Sequence, residues 1–335
     1  MSRLQLSLNP SLFIQLGVLS AQSPAYNDIR MIMQQGDIRM KIDGVFSGGG
    51  VKAYALLGAL ESIQEHDLTF ERVAGTSAGA IVASLLAANY QIKDIQNIMR
   101  DVNLHQFLDP PKLSQILPFT KWFFLYFKLG LNKGDAFEKW LYKLLAYKHV
   151  YTFKDLKPGY LKVIVSDLTL GKLIVIPDDL ERVYGINPDY FPVAKAVRMS
   201  AGFPYFFMPK QMLNKNETKS IIVDGGLLSN FPIWVFDEKD KVQKRPILGI
   251  KLSDSPDAEQ PRDIHNAFDM FHALFSTMKQ AHDARHVSTS KEKNIIFIPV
   301  KHLGAVDFNI SQEQKDELFE KGRARADEFL KHWST

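Results

Sequence analysis

Apolar positions follow two rhythms along this chain, and glycines mark where one gives way to the other. Residues 41–47 form a short apolar run that stops at "GGG", which predicts a buried strand. The next stretch, "VKAYALLGALESIQEH", places Tyr54, Leu57, Leu60 and Ile63 at helical spacing. "FERVAG" predicts a second strand, and "SAGAIVASLLAANY" a helix rich in small residues. Strand, glycine turn and helix thus occur twice in close succession, which predicts an α/β fold with a mostly parallel sheet covered by helices. Further on, "DAFEKWLYKLLAYK" reads as a helix, and "YLKVIVSDLTLGKLIVI" as two strands around a turn near Thr169–Gly171. "KSIIVDGGLLSNFPI" is a strand ending in another glycine turn. "PILGIKLSD" and "NIIFIPV" are strands on either side of a long amphipathic helix, "IHNAFDMFHALFSTMKQAHDARH". A closing helix follows Ser311, its expected N-cap, with Glu313 and Gln314 in the first turn. No repeat or low-complexity tract interrupts this pattern. Residues 1–40 precede it and are expected to be a loosely structured arm; residues 41–335 are expected to be one domain.

Composition narrows the classes. At 335 residues and 46% apolar content, most of the chain is expected to fold around a sizeable core. A formal charge of only +4, with acids and bases interspersed, argues against a nucleic-acid binder and suits an anionic lipid surface equally well. The absence of cysteine excludes disulfides, a thiol nucleophile and Cys-ligated zinc, and is compatible with a reducing cytoplasm. The densest apolar run, Trp122–Tyr126, lies between Lys121 and Lys128, far short of the roughly 20 residues of a membrane span. "LFIQLGVLSA" follows Arg3, but Asn9 and Gln15 make it a poor signal peptide. The expected location is cytoplasmic, with secretion or injection by a non-classical route left open.

Three short motifs carry candidate chemistry. In "VAGTSAGAIVASL", Gly75, Ser77 and Gly79 have the form G-x-S-x-G, which can expose a nucleophilic serine on a sharp strand-to-helix turn. The plainer reading is that Thr76 or Ser77 caps the helix. In "SGGGVK", Gly48, Gly49 and Gly50 offer backbone N–H groups ahead of a helix, suited to a developing oxyanion, and Lys52 adds positive charge. Neither the dinucleotide nor the P-loop spacing fits, and a plain flexible loop is the alternative. In "DGGLLSN", Asp224 ends an apolar strand ahead of Gly225 and Gly226, at the sheet edge where α/β folds place ligands. An ordinary Asx-Gly turn is the alternative there.

Together and in this order, "SGGGVK", "GTSAG" and "VDGGLLSNFP" resemble the patatin-like lipid acyl hydrolases, a family of phospholipases. "NKGDAFEKWL", "SDLTLGKLIVI" and "AVRMSAGFPYFFMP" are similar to the family's intervening blocks, so the resemblance spans roughly residues 41–335. It implies a three-layer α/β fold with Ser77 as nucleophile and Asp224 as its partner in a Ser–Asp dyad. Gly48, Gly49 and Gly50 would form the oxyanion hole, with Lys52 where Arg or Lys often stands. Ser200, Ala201 and Pro204 would belong to the segment lining the cleft. Ala53 departs from the glycine common at its position. An aspartate is ordinarily a weak base; desolvation beside Ile222 and Val223 would raise its pKa and nearby amides would oppose the rise.

The resemblance implies a hydrolase cleaving fatty-acyl esters of phospholipids or lysophospholipids through an acyl-enzyme, with no cofactor and no metal. An esterase or thioesterase for short acyl groups, or a non-catalytic membrane-binding module, are the alternatives. His282 and His286 stand four apart on a helix, as in a zinc motif, but lack a third ligand and read as a solvated face. Residues 116–131, "ILPFTKWFFLYFKLGL", interleave aromatics with lysines. They suit a peripheral lipid contact, a lid over the acyl pocket or a core helix equally. Oligomeric state is not readable.

Overall fold

The structure is a computed structural model that describes residues 40–116, 120–237, 244–253, 264–286, 292–300 and 307–333. The chain divides into two units, Met1–Met40 and Lys41–Thr335. The expected arm, residues 1–40, lies outside the described residues except for Met40, so the second unit is the subject here.

Its elements alternate as the sequence pattern predicts. Strand β1 (Met40–Phe46) leads through a 3-10 turn to helix α1 (Tyr54–Glu65), and β2 (Leu68–Thr76) leads directly into α2 (Ala78–Ala87). Helices α3 (Ile92–Asp101), α4 (Lys112–Ile116) and α5 (Thr120–Lys128), short strand β3 (Gly130–Asn132) and helix α6 (Asp135–Tyr147) follow. The hairpin β4 (Leu161–Asp167) and β5 (Lys172–Ile176) precedes α7 (Val193–Ser200), then come β6 (Tyr205–Phe207), β7 (Lys210–Leu213) and β8 (Lys219–Asp224). The chain closes with β9 (Ile247–Ser253), α8 (Ala267–His286), β10 (Ile295–Pro299) and α9 (Gln312–Leu330).

An eight-stranded sheet runs in the order β10-β9-β1-β2-β4-β8-β7, with β5 added on β4. Strands β10, β9 and β1 pair in parallel, as do β2 and β4, whereas β5, β7 and β8 pair antiparallel. The register on β4 positions the rest of the site. Strand β5 covers one edge of β4 over Val163–Asp167. The other edge is shared: Thr76 of β2 pairs with Ile164, and Asp224 of β8 pairs with the very next residue, Val165. One strand thus hands its partner from β2 to β8 at the point where β2 ends.

Apolar residues of these strands and of the turn that follows β8 form the core. Val45, Ala74, Phe231, Ile233 and Phe236 pack together with Ile247 and Ile295. Within β1, the fully buried Asp43 is met by Arg72 Nη2 at 2.6 Å and Arg245 Nε at 3.3 Å, so its charge is compensated where it is desolvated.

The closing helix α9 packs against α1 at van der Waals distance between backbones. A Cβ on Gly58 would fall 1.9 Å from the Phe319 carbonyl oxygen, and one on Gly322 the same distance from that of Ala55. Ser311 caps α9 as expected, in a capping box with Gln314. Beyond the glycine contact, Ser62 Oγ donates to the Asp327 carboxylate, and Arg323 pairs with Glu61 and Glu65. Helix α1 begins right after the glycine loop, so the C-terminal helix braces the element that carries that loop. Gly322→Ala is expected to lower the unfolding free energy by about 1–3 kcal/mol, since backbone cannot yield as a side chain does. Glu317→Ala, on the exposed side of the same helix, is expected to stay within about 0.5 kcal/mol of wild type. Urea unfolding of both variants checks this.

Candidate active site

Strand β2 ends at Thr76, and the chain turns through Ser77 into α2. Ser77 takes φ 53° and ψ −123°, a region that L-residues rarely occupy. The two glycines of the motif allow this turn. A Cβ on Gly75 would lie 2.4 Å from the Gly79 backbone, and one on Gly79 would lie 2.4 Å from the Phe46 carbonyl oxygen of β1. The serine therefore sits on a bend packed too closely for side chains on either flank. Its amide donates to Ser200 Oγ at 2.9 Å, and Ser200 Oγ donates on to the Ile164 carbonyl at 2.6 Å. The hydroxyl makes no capping bond to α2. It donates instead to Asp224 Oδ2 at 2.7 Å.

Asp224 arrives from the far end of the chain by way of the β4 register. Its other oxygen, Oδ1, accepts the Gly226 N–H at 2.7 Å. The Asx-Gly turn and the contact with Ser77 therefore coexist, one on each carboxylate oxygen. Burial pushes the Asp224 carboxyl up to about 6; the Gly226 amide, the Ser77 hydroxyl and the nearby Lys279 ammonium hold the rise in check. Desolvation and opposing amides act in the directions expected from the sequence.

The glycine loop lies against this pair. A Cβ on Gly48 would be 3.0 Å from Ser77 Cβ and 2.5 Å from Asn230 Oδ1. Of the three loop amides expected to act as donors, that of Gly48 is committed to the Asn230 carbonyl at 3.0 Å. The Gly48 carbonyl in turn accepts from Asn230 Nδ2 at 3.3 Å, so one residue holds Gly48 at both its N–H and its C=O. The Gly49 and Gly50 amides have no hydrogen-bond partner among the described residues, and Gly50 stands at φ 57°. Asn230 was in plain view in "DGGLLSN", yet nothing in its residue type or spacing separates it from a turn residue.

A cavity of about 130 Å³ opens from Ser77 and Asp224, counting the space open to the centre of a water molecule. That is room on the order of ten waters. Its walls are apolar and aromatic, including Met99, Phe107, Phe137, Trp140 and Phe207. Of the expected cleft segment, Ala201 lines it together with Phe203, while Ser200 serves behind the wall as the acceptor for Ser77. Ala53 also lines it. Lys52 is half-buried and is not among the lining residues; the cation there is Lys279 of α8. No histidine lines the cavity among the described residues.

Arg198 fixes one wall. Fully buried, it donates from Nε to the Gly134 carbonyl at 3.0 Å and from Nη2 to those of Lys133 and Met208 at 2.9 Å. Its guanidinium lies 4.7 Å from the Phe207 ring centroid. Asp109 completes the brace, accepting the N–H groups of Gly134 and Ala136 at the start of α6. The segments carrying Phe137 and Phe207 are thereby tied together.

Beyond the cavity, α5 turns aromatic rings outward: Phe123 is 54%, Tyr126 75% and Phe127 62% exposed. This excludes the core-helix reading for those three. Thr120, Lys121 and Trp122 have side chains outside the described residues, as do His282 and His286. Among the described residues no acidic and histidine cluster suits a metal ion, and no helix is long and apolar enough to cross a membrane.

An eight-stranded α/β sheet with a strained serine, a buried aspartate and a glycine loop at one strand end defines a recognisable class. The family model for patatin-like phospholipase matches residues 44–237, and the chain belongs to that family. It is 49% identical over 295 residues to the uncharacterized protein YqhO of Bacillus subtilis (strain 168), covering 88% of this chain and all of that one. It is 25% identical over 284 residues to the uncharacterized protein R571 of Acanthamoeba polyphaga mimivirus, covering 82% and 89% of the two chains. The crystal structure of VipD from Legionella pneumophila shares the fold, with a TM-score of 0.52 and 19% identity over 87% of this chain and 67% of that one.

The raised pKa of Asp224 has a consequence for stability. A carboxyl that holds its proton more tightly when folded contributes nothing adverse at low pH and costs stability as pH rises through about 6. Asp224→Asn keeps an acceptor for Gly226 and removes the charge. Between pH 4 and pH 8, the unfolding free energy of the Asn variant minus that of wild type is expected to rise by about 2–3 kcal/mol. Denaturant unfolding at the two pH values measures it, and a fall would mean the fold favours the ionised carboxylate.

Proposed function

We propose that this protein is a serine lipid acyl hydrolase that cleaves fatty-acyl esters of phospholipids or lysophospholipids. The observation that carries this reading is the 2.7 Å bond from Ser77 Oγ to the buried Asp224, in the lining of an apolar cavity. The acyl chain lies along the aromatic walls, and its ester carbonyl meets Ser77. Ser77 Oγ attacks the carbonyl carbon while Asp224 accepts the hydroxyl proton. The carbonyl oxygen becomes an oxyanion held by the Gly49 and Gly50 amides at the start of the helical segment, where positive potential gathers. Collapse of the tetrahedral intermediate breaks the ester C–O bond, and Asp224 returns the proton to the departing alkoxide. Water then attacks the acyl-enzyme, again giving its proton to Asp224, and the fatty acid leaves as Ser77 recovers its own. Because the base is a carboxylate near pKa 6 rather than an imidazole, positioning and oxyanion stabilisation carry much of the acceleration.

Substrate class follows from the walls. A long acyl chain gains about 0.8 kcal/mol for each methylene it buries against walls that include Phe107, Phe137, Trp140 and Phe207, whereas a short soluble acyl group would use little of that surface. The enzyme would act at a lipid surface as a peripheral protein, with no cofactor.

Ser77→Ala is expected to abolish release of fatty acid from mixed phospholipid vesicles and labelling by a fluorophosphonate. Asp224→Asn is expected to lower kcat/KM by about 10²–10⁴-fold in a folded protein. Product analysis by mass spectrometry reads both. Near-normal turnover in either variant rejects the dyad, and a maximum at short acyl chains in an ester series favours the esterase reading. A separate measurement addresses the lipid contact. Changing the exposed Phe123 and Phe127 together to Ser is expected to weaken sedimentation with anionic vesicles by about tenfold or more. Unchanged vesicle binding would move the contact elsewhere.

A further inference from the structure

Asn230 brings a further acceptor to the serine and the aspartate. It is 3% exposed, and it lines the cavity with Ser77, Asp224 and Gly226. Its backbone carbonyl accepts the Gly48 N–H, and its Nδ2 donates to the Gly48 carbonyl. The second bond fixes which way the side-chain amide faces, because only its NH₂ end can meet a carbonyl oxygen. Oδ1 is thereby turned away from that carbonyl. A Cβ on Gly48 would lie 2.5 Å from Oδ1 and 3.0 Å from Ser77 Cβ. A Cβ on Gly226 would lie 3.2 Å from Oδ1 and 2.9 Å from Asp224 Oδ1, and these two oxygens would be its nearest neighbours outside the adjoining residues. Asn230 Oδ1 thus stands among the glycine loop, the serine and the aspartate. No donor among the described residues reaches it. A buried carbonyl oxygen is costly without a donor, and a water molecule can donate to two acceptors at once.

The proposed hydrolysis supplies such a donor in its second half. In the first half one proton moves, from Ser77 Oγ to Asp224, and Asn230 Oδ1 takes no part. In the second half the nucleophile is water, which has two O–H groups, and Asp224 accepts only one of the protons. We propose that Asn230 Oδ1 accepts a hydrogen bond from the other O–H and so aims the water oxygen at the acyl-enzyme carbonyl. This rests on the hydrolase reading. The water oxygen bonds to the acyl carbon as its first proton passes to Asp224. The second hydrogen stays on that oxygen, held at Asn230 Oδ1 while positive charge develops on the attacking group. Collapse breaks the bond between the acyl carbon and Ser77 Oγ. Asp224 then returns its proton to Oγ, and the fatty acid departs with the remaining hydrogen. Asn230 in this way selects water as the acyl acceptor, since an alcohol has one O–H and would set its alkyl group against Oδ1.

Partition between water and methanol tests this. Both attack the same acyl-enzyme, so the ratio of methyl ester to free acid does not depend on how fast that intermediate forms or on the fraction of protein folded. The substrate is 4-nitrophenyl decanoate at a fixed methanol concentration, with initial products read by mass spectrometry. The ratio is expected to rise by about tenfold in Asn230→Leu, and Asn230→Ala, the second variant should Leu prevent folding, is expected to move it the same way. Asn230→Asp lacks the Nδ2 bond to Gly48 but keeps an oxygen at the place of Oδ1, and its ratio is expected to stay within about threefold of wild type. If Asn230 only holds the glycine loop, water and methanol slow together, because the same amides face both attacks. An unmoved ratio in the Leu and Ala variants therefore overturns the proposal. A rise in Asn230→Asp as large as in Asn230→Leu assigns the effect to the lost Nδ2 bond and overturns it too. Products that form equally with Ser77→Ala reject the hydrolase reading and this proposal with it, whereas Ser77-dependent products with an unmoved ratio reject the role of Asn230 alone.

Discussion

The site depends on one constraint, the sharing of a single edge of β4. Ile164 pairs with the last residue of β2, and Val165 pairs with the last residue of β8. Ser77 follows Thr76 immediately, and Asp224 is itself the paired residue. Two side chains 147 positions apart in sequence are therefore brought to 2.7 Å by adjacent rungs of one strand. Slipping either pairing by one residue would turn the side chains involved to the opposite face of the sheet. Strand β4 supports the junction in a second way, since the Ile164 carbonyl accepts the Ser200 hydroxyl that holds the Ser77 amide. The strained φ of Ser77 thus sits between the pairing of the sheet and the close glycine contacts on either flank of the turn.

Close backbone approach does the rest. Gly75, Gly79 and Gly48 each stand where a Cβ would meet neighbouring groups at 2.4–2.5 Å. Gly58 and Gly322 repeat the device where α9 crosses α1. The two sets are connected: α9 braces α1, α1 follows the glycine loop, and the loop abuts Ser77. Stability far from the cavity and geometry within it are in this way one packing problem, because interiors packed to crystal density transmit small displacements.

Much of this was legible in the chain. The strand and helix rhythms gave the parallel sheet, and three local motifs named Ser77, Asp224 and the glycine loop as candidates that the structure then brings together. Local motifs are readable because a strained turn or a backbone-lined loop needs glycine whatever its surroundings. Residues that act through tertiary contact left no such mark. Asn230 looks like any turn residue until its side chain and carbonyl are both seen on Gly48. Gly48 itself reads as a free donor until that pairing appears. Ser200 was placed in a lining segment, but its use as a link between Ser77 and β4 depends on how α7 packs. Lys279 sits in an amphipathic helix where periodicity marks a face without saying what the face meets. The aromatics of α5 were ambiguous for the same reason, since a core helix and an interfacial helix share one pattern.

The missing histidine also has a physical counterpart. A carboxylate becomes a useful base near neutrality only if it is desolvated, and Asp224 is deeply buried under the strand junction. The bonds that position it, from Gly226 and Ser77, oppose that rise. In the proposed mechanism such a base would gain proton affinity only as far as its own anchoring allows, and the Gly49 and Gly50 amides would supply what remains. Donors are effective in proportion to how little they must reorganise. Asn230 holds Gly48 at both its N–H and its C=O, so one potential donor of the loop is given up to the fold. With a modest base, the proposed chemistry would then rest on the two loop amides that the fold leaves unpaired among the described residues, Gly49 and Gly50.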